Sequence, residues 1–535
     1  MKRARAWFAG IAALAALGLG TDEARATTFC VPSFTVACPN ANGNVAVADL
    51  EEAMSLKGFD GEADEVIVAG GTYTEDSDYE PPAGSTGTFQ VTGADPLTIS
   101  GAGIGVTHLT SSASGNIFLV NLGHNGNVRD VVIRDLDLQV PTSFDDNAGA
   151  ALQLFHGDSA ERIAVESLNN GAAGVVAADA GNVIRDSELF GQVGGLISTA
   201  LSTGSEEGTL LAEDVQVYGA SSALAANGIA STLTARRLQS FGTRTYGATA
   251  SAGTVRIENS LLNMEDGVGL FVSPAADDAA IEADHATFFN SSGTVPALEA
   301  KKFSMTTGEG SIEVSNSIMR GFGFGYKIER PLGSGALSIE ARYSNLPQTG
   351  SNENGQVDFG TGNIDADPLW NNAYQLPPDS PSVDAGDPAA GGLAVDFLGA
   401  PRPNDGDGDG VAVRDQGMFE YQLPAAPTPE AGGGGGGAGG SGGSGAGKDA
   451  TPPQTTIAKG PGSKLAQGKA KFSFRSSEAA STFTCKLDQR KPRPCRPPKS
   501  YTGLKPGRHA FKVWATDKAG NKDPTPAKGR FKVPA

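Results

Sequence analysis

The chain has 535 residues, of which 39% are hydrophobic, 7% aromatic and 73 are glycine, and its formal net charge is −19. At about 150 residues per domain this length admits two to four domains, and the glycine content points to a Gly-rich folded protein rather than wholesale disorder. The apolar content falls short of a multi-span membrane protein, and the acidity excludes the whole molecule as a nucleic-acid binder, because phosphate contacts need a positive surface.

Residues 1–26 read as an export signal: Lys2, Arg3 and Arg5 form a basic start, Phe8 to Gly20 an apolar run, and Ala24-Arg25-Ala26 a small-x-small cleavage site. The apolar run is too short for a mature membrane anchor, no cysteine follows the cut at once, and no later run of about 20 apolar residues is present. A secreted, extracellular protein is expected, soluble or held at the cell surface by non-covalent contacts. The cysteines form two local pairs, Cys30 with Cys38 and Cys485 with Cys495. In an exported chain that spacing suggests two small-loop disulfides. A zinc site would need four convergent ligands, and the pairs lie far apart in sequence.

From about Val128 onward a short pattern recurs: an apolar-x-apolar triplet, polar residues that often include Asp or Asn with Ser, then another apolar residue. The copies are Val131–Leu136, Ile163–Leu168, Val183–Leu189, Leu210–Val215, Leu233–Leu238, Val255–Leu261, Ile281–Ala286, Ile312–Ile318 and Ile339–Ser344. Aligned on Ile133, Val165, Ile184, Ala212, Ala235, Ile257, Ala283, Val314 and Ala341, they repeat every 26 residues on average. Period-2 alternation predicts a strand in each copy, and the intervening Gly, Asn and Ser predict turns. One such strand cannot bury its apolar face alone, so the copies must stack into a parallel β-solenoid with one strand per copy, turns about 4.8 Å apart. The frame of leucine-rich repeats is absent, and no four-strand blade repeat marks a propeller.

This stacked repeat resembles exported right-handed parallel β-helix proteins of the pectate-lyase type. The resemblance implies an N-terminal cap helix over Val47–Met54, a first strand over Asp64–Val68 followed by Gly70-Gly71-Thr72-Tyr73, and an early coil over Leu97–Gly103 with Thr107–Leu109. A cap is also what physics requires, since an open solenoid end exposes unpaired strand groups. Four blocks further on, Gly362–Trp370, Ser380–Asp387, Asp396–Pro403 and Asp415–Tyr421, resemble the choice-of-anchor segment that closes many bacterial β-helix proteins. That resemblance implies a surface protein and names no substrate; Gln416 and Met418 depart from its usual residues.

The Pro-rich Leu423–Pro429 leads into Ala431–Gly447, a Gly/Ser tract that behaves as a flexible coil. Across it the charge reverses: residues 451–535 carry 19 Lys or Arg against four acids. This tail resembles a bacterial immunoglobulin-like β-sandwich, on Lys471–Phe474, Thr482–Asp488 and His509–Asp517. The predicted fold class is therefore all-β, a right-handed parallel β-helix (solenoid) followed by a small Ig-like β-sandwich. Its predicted domains are a signal at 1–26, the β-helix with its cap at 27–360, a closing segment at 361–424, a linker at 425–450 and the sandwich at 451–535.

Asp405, Asp407 and Asp409 alternate with glycines and Gly410 stands sixth, as a calcium loop requires; the twelfth place is Gln416, with Asp415 one place early. The segment reads either as a structural calcium site or as a flexible acidic loop. A lyase on this fold would need acids for calcium and a base nearby. Asp135, Glu166, Asp186, Glu213, Asp214, Arg134, Arg185, Arg236 and Arg237 are candidates by type, yet Arg134-Asp135 and Arg185-Asp186 occupy equivalent repeat positions, as a solvated charge ladder would. No catalytic residue is identified. His108, His124, His156 and His285 show no metal-ligand spacing, and Gly101 to Gly105 is a turn without the lysine of a phosphate loop. Lys486, Arg490, Lys491, Arg493, Arg496 and Lys499 cluster around a tail hairpin, where they would contact anionic cell-wall polymer, dock on the chain's own acidic rod or serve only solubility. The leading expectation is a monomeric, non-catalytic protein that binds carbohydrate or a surface. The alternatives are a polysaccharide lyase or glycoside hydrolase, expected by analogy of fold alone, and a structural envelope protein.

Overall fold

The computed structural model describes residues 26–41, 43–56, 62–75, 87–91, 95–111, 118–121, 130–140, 150–167, 173–191, 197–203, 207–303, 307–330, 334–371, 373–423, 452–459, 470–476, 481–488, 490–495, 499–505, 507–516 and 521–533. Residues 1–25 of the signal and the whole linker read from the sequence lie outside these residues. The chain divides into two compact units: residues up to 368 with 381–422, and residues 369–380 with those from 423 onward.

The first unit is a parallel β-solenoid. Among the described residues its strands fall into three sheets of 14, 10 and 11 strands, in which, apart from the ends of the first and third, every third strand of the chain is a neighbour. We call these sheets I, II and III. Pairing in all three is parallel, as in Ala279–Asp284 of sheet I, whose Ile281 lies between Val255 and Ile312. Val255, Ile281, Ile312 and Ile339 form one column of side chains with no exposed surface. Alternation explains it: in Ala279–Asp284 every second residue is buried, and the others face outward.

Each turn thus contributes three strands, not the single strand the repeat suggested. The strands of sheets II and III are often short and rich in small residues, as in Gln216–Tyr218 and Ala220–Ala226, so no long alternation betrays them. One repeat copy also belongs elsewhere. The sheet I partner of Ile133 and Ile184 is Ala160; Val165 lies in sheet II between Leu138 and Leu189. Sheet I also begins earlier than expected: Thr28–Val31 pairs with both Val45–Ala46 and Asp64–Val68. The helix spans Leu50–Leu56, three residues beyond the expected start, because Asp49 caps it by accepting the Glu52 N–H at 2.8 Å.

Between sheets I and II each turn from Asp135 onward rounds a sharp corner. Its pivot is a residue with positive φ, in succession Asp135, Arg162, Asp186, Asp214, Arg237, Asn259, His285, Asn316 and Tyr343. A non-glycine residue in this conformation costs roughly 1–2 kcal/mol, so something must hold it. A buried serine follows in four turns. Ser187, Ser260, Ser317 and Ser344 each donate a hydroxyl to the carbonyl two residues back. Each also accepts a backbone N–H from the preceding turn, of Ile163, Leu238, Ala286 and Ser317 respectively. Gly101 marks the tightest early approach: a Cβ there would lie 2.4 Å from the Asp135 carbonyl oxygen.

Residues 381–422 return along this corner as an irregular strap. The Asn259 amide donates to the Val395 carbonyl, Asn316 Oδ1 accepts from Asp387 N–H, and Thr287 Oγ1 accepts from Met418 N–H. Met418 and Gln416, the two departures from the closing-segment pattern, are both buried against it.

The second unit contains two antiparallel sheets, of three and four strands. Ala470, Phe472, Phe474, Leu487, Phe511, Val513 and Val533 share one core, with Phe472 stacked on Phe511 at 4.0 Å. Disulfides join Cys30 to Cys38 and Cys485 to Cys495, with Cα separations of 5.6 and 5.8 Å. No helix among the described residues is long and apolar enough to cross a membrane.

Because neighbouring turns share each aliphatic column, Ile281→Ala should destabilise the solenoid by about 2–5 kcal/mol, with the change in the urea midpoint as the measurement. An unchanged midpoint would show that the column is not what holds the turns together.

Candidate functional site

The sequence placed charged groups on the outer face of the turns, and there the structure pairs them across neighbouring turns. Arg162 meets Asp135 at 2.8 Å, Arg185 meets Glu213 at 3.1 Å, Arg236 meets Glu258 at 2.7 Å and Arg256 meets Glu282 at 2.9 Å. Arg237 bridges Glu213 and Asp214, and Arg134 reaches Ser100 and Glu65. Partial burial works against ionisation of Glu213, but the hydrogen bonds from Arg185 and Arg237 outweigh it and hold the carboxyl below its usual range. A carboxylate held this way is a poor proton donor or acceptor.

Sheet II presents a different outer face. Phe190, Tyr218 and Phe241 stack in consecutive turns, with ring centroids 5.1 and 5.5 Å apart. Gln139 donates to Glu166 in the two preceding turns at 3.3 Å, and the Tyr218 hydroxyl donates to Gln216 at 2.7 Å. The result is a half-buried ladder of stacked rings with Gln216 beside it and the Gln139–Glu166 pair in the turns before it. Glu166 therefore belongs to this face; Asp186 is an exposed corner pivot.

The described histidines are dispersed, each beside one aspartate: His108 with Asp137, His156 with Asp179, His285 with Asp284 and His509 with Asp488. His124 and Arg496 lie outside the described residues. Of the basic tail cluster, Arg490, Lys491 and Arg493 are exposed, Lys486 is half-buried, and Lys499 lies 5.4 Å from the Tyr501 ring centre.

In the acidic loop, the residues whose carboxylates converge are Asp384, Asp405 and Asp407, with one oxygen from each within 4.8 Å of the others. Asp405 and Asp407 were legible from their spacing; Asp384 was not. Asp409 instead caps the Val411 N–H, and Asp415 is turned inward, accepting from the N–H of Asp384. The oxygen trio suits a hard cation by donor type.

Asp415 belongs to a buried cluster. Arg402 and Glu420, both without exposed surface, pair at 2.8 Å, and Glu420 also accepts from the Asp415 N–H. Burial, with the nearby Glu420 charge, pushes Asp415 up to about 8.

The remaining feature is a cavity of about 150 Å³ where the strap crosses the corner. Arg236, Glu258 and Asp284 come from the ends of sheet I strands, Asn259 and His285 from two successive corner pivots, and Gly392 and Leu393 from the strap. Asp284 is fixed: one oxygen accepts from Ser315 and Asn316, both at 2.8 Å, and the other lies 2.9 Å from His285 Nδ1. Burial opposes its ionisation, but the contacts with His285, Asn316 and Ser315 win and bring it down to about 2. Burial first, then the charges of Arg402 and Arg414, hold the His285 imidazole below its usual value despite Asp284. Its Nε2 is sealed from solvent and has no hydrogen-bond partner, a state that costs about 1–3 kcal/mol. The sequence counted His285 among scattered histidines, and only the strap, more than 100 residues downstream, makes it part of a site.

The winding and register described above define the first unit as a parallel β-helix. Among solved structures, the chain is similar to pectate lyase Pel9A, at 9% identity and a TM-score of 0.38, covering 75% of this chain and 98% of that one. It is also similar to a PL6 family polysaccharide lyase from Pseudopedobacter saltans, at 8% identity and a TM-score of 0.39, covering 66% and 96%. A third likeness is to the A-module of the mannuronan C-5 epimerase AlgE6 of Azotobacter vinelandii, at 14% identity and a TM-score of 0.34, covering 57% and 91%. No protein-family model and no curated protein matches the chain.

The Asp415 carboxyl carries a pH signature. Its folded value, about 8, is raised from 3.8, so the folded state holds the extra proton and this contribution is lost as pH rises between those values. The difference in melting temperature between Asp415→Asn and wild type should therefore grow in favour of the variant from pH 5 to pH 9. A constant difference would mean that the carboxyl is ionised throughout.

Proposed function

We propose that the chain is an exported, surface-directed protein that binds carbohydrate along its solenoid without cleaving it. The observation that carries this reading is the outer face of sheet II, where the stacked Phe190, Tyr218 and Phe241 run beside Gln139, Glu166 and Gln216. A repeating, half-buried aromatic ladder with amide side chains beside it matches a repeating polymer of hydroxyl-bearing rings, each offering apolar C–H surface and hydrogen-bonding rims. Four arginines of sheet I and its corner, Arg162, Arg185, Arg236 and Arg256, hold carboxylates of neighbouring turns in ion pairs, which favours binding over cleavage. In this reading the strap is the closing segment of a surface protein. The second unit is an Ig-like module whose Lys486, Arg490, Lys491, Arg493, Arg496 and Lys499 engage anionic cell-wall polymer.

Incubation of the purified chain with a polysaccharide panel tests this. Retention without new ends is expected, and Tyr218→Ala should weaken it about tenfold, the scale of a lost aromatic contact. Unsaturated or reducing ends would establish an enzyme instead, and absence of any retention would favour a structural role.

The acidic loop is proposed as a structural calcium site held by Asp384, Asp405 and Asp407. Calcium should raise the melting temperature of wild type and leave Asp384→Asn unmoved; equal shifts in both would remove the site.

A further inference from the structure

The four-stranded sheet of the second unit buries one face and leaves the other open. Cys485, Leu487, Phe511 and Val513 belong to the core, so their neighbours along Thr482–Leu487, Gly507–Thr516 and Ala527–Val533 face outward. Register then sets three lysines in one row: Lys486 lies opposite Lys512, and Lys512 opposite Lys528. Neighbouring strands are about 4.8 Å apart, so the row spans about 10 Å. Like charges directly opposite one another destabilise a sheet, and solubility alone needs no such row.

No described carboxylate relieves it. Burial, then the charges of Lys528, Lys486 and Arg530, hold the Lys512 ammonium below its usual value. The two acids described in residues 452–533 are engaged elsewhere. Asp523 accepts from the N–H groups of Thr455 and Thr525, and Asp488 accepts from Ala510 N–H while facing His509. Lys522 adds another cation on this face, 4.8 Å from the centre of the Trp514 ring.

The shape and chemistry of the row choose its partner. A flat row encloses nothing, so a single small anion would gain one solvent-screened contact. A chain of repeated charge gains a contact at each lysine and releases the counterions gathered there. Lysine offers phosphate oxygens a compact point charge, whereas planar carboxylates are gripped best by the arginine fork. Nucleic acid adds base stacking to its phosphates, and Lys522 covers the one ring described on this face.

We propose that this face binds a phosphodiester-linked polyol chain, laid across the strands over Lys486, Lys512 and Lys528. The assignment rests on the reading of the second unit as a contact for anionic cell-wall polymer and deepens it. It gives the polymer's chemistry and moves the contact from the hairpin, where Arg490 and Arg493 are exposed, to the sheet.

The test titrates the full chain with poly(glycerol phosphate) at several salt concentrations. This polymer carries no sugar, which leaves the sheet II ladder nothing to hold. Three contacts predict that log K falls with log salt at a slope of about −2. Lys512→Gln and Lys528→Gln should each weaken binding about fivefold and flatten the slope by about 0.7. Lys505→Gln removes an equal charge from an exposed position off the row and should change neither. Equal losses in Lys512→Gln and Lys505→Gln would reveal attraction by net charge alone and overturn the row. If Lys512→Gln fails to fold, Lys528→Gln, at an exposed position, decides alone. Loss in Arg490→Gln with both row variants unchanged overturns the row and leaves the anionic-polymer reading standing. Oligo-dT or polyglutamate of matched charge, held more tightly than the polyol chain, overturns the choice of partner. A wild type that binds no polymer overturns both the row and the reading it rests on.

Discussion

The solenoid depends on one constraint: no turn can bury its own aliphatic face or satisfy its own strand amides. Both are completed only by the turn above and the turn below, through the parallel ladders and the shared columns such as Val255, Ile281, Ile312 and Ile339. Register is therefore fixed where the columns run, and variation in length is pushed into the connections. The corner is the exception. It must turn sharply between two laddered sheets, so it repeats the same left-handed pivot and, where the next residue is serine, the same hydroxyl staple from turn to turn.

This constraint explains what could be read from the sequence. Sheet I was legible because its longer strands alternate cleanly, as in Ala279–Asp284 and Gly310–Ser315. Sheets II and III were not, because strands such as Val268–Val272 are buried throughout and carry no alternation. Val165 was assigned to the wrong sheet for the same reason: the triplet Ile163-Ala164-Val165 has the spacing of a sheet I strand, while the real one, Ser159–Glu161, is three residues long and holds a single alanine in the core. Local spacing cannot tell the two apart; only the partners across neighbouring turns can.

The strap was legible as a unit but not in its effect. Its motif residues predicted a closing segment, and Asp405 and Asp407 announced an oxygen-rich loop. The third carboxylate, Asp384, comes from the far end of the strap, and Asp415, which the spacing placed in the loop, is instead drawn inward where Arg402 and Glu420 are sealed from water. Burial at that point is a property of the docked strap, so no window of sequence around Asp415 could have shown that its carboxyl holds a proton near neutral pH.

The same docking distinguishes His285 from the pivots on either side. Asn259 and Asn316 suit the left-handed corner, and both are fully used: Asn259 binds Val395 and Arg402 of the strap, while Asn316 binds Asp387 of the strap and Asp284 of the preceding turn. His285 stands between them in the same backbone conformation, and an asparagine there would meet the same steric demand with less bulk. Only one of its ring nitrogens is used, and it is used by the adjacent Asp284 rather than by the strap. The frame of the corner thus consumes the polar atoms of both neighbouring pivots and leaves one acceptor over, on the turn where the cavity opens.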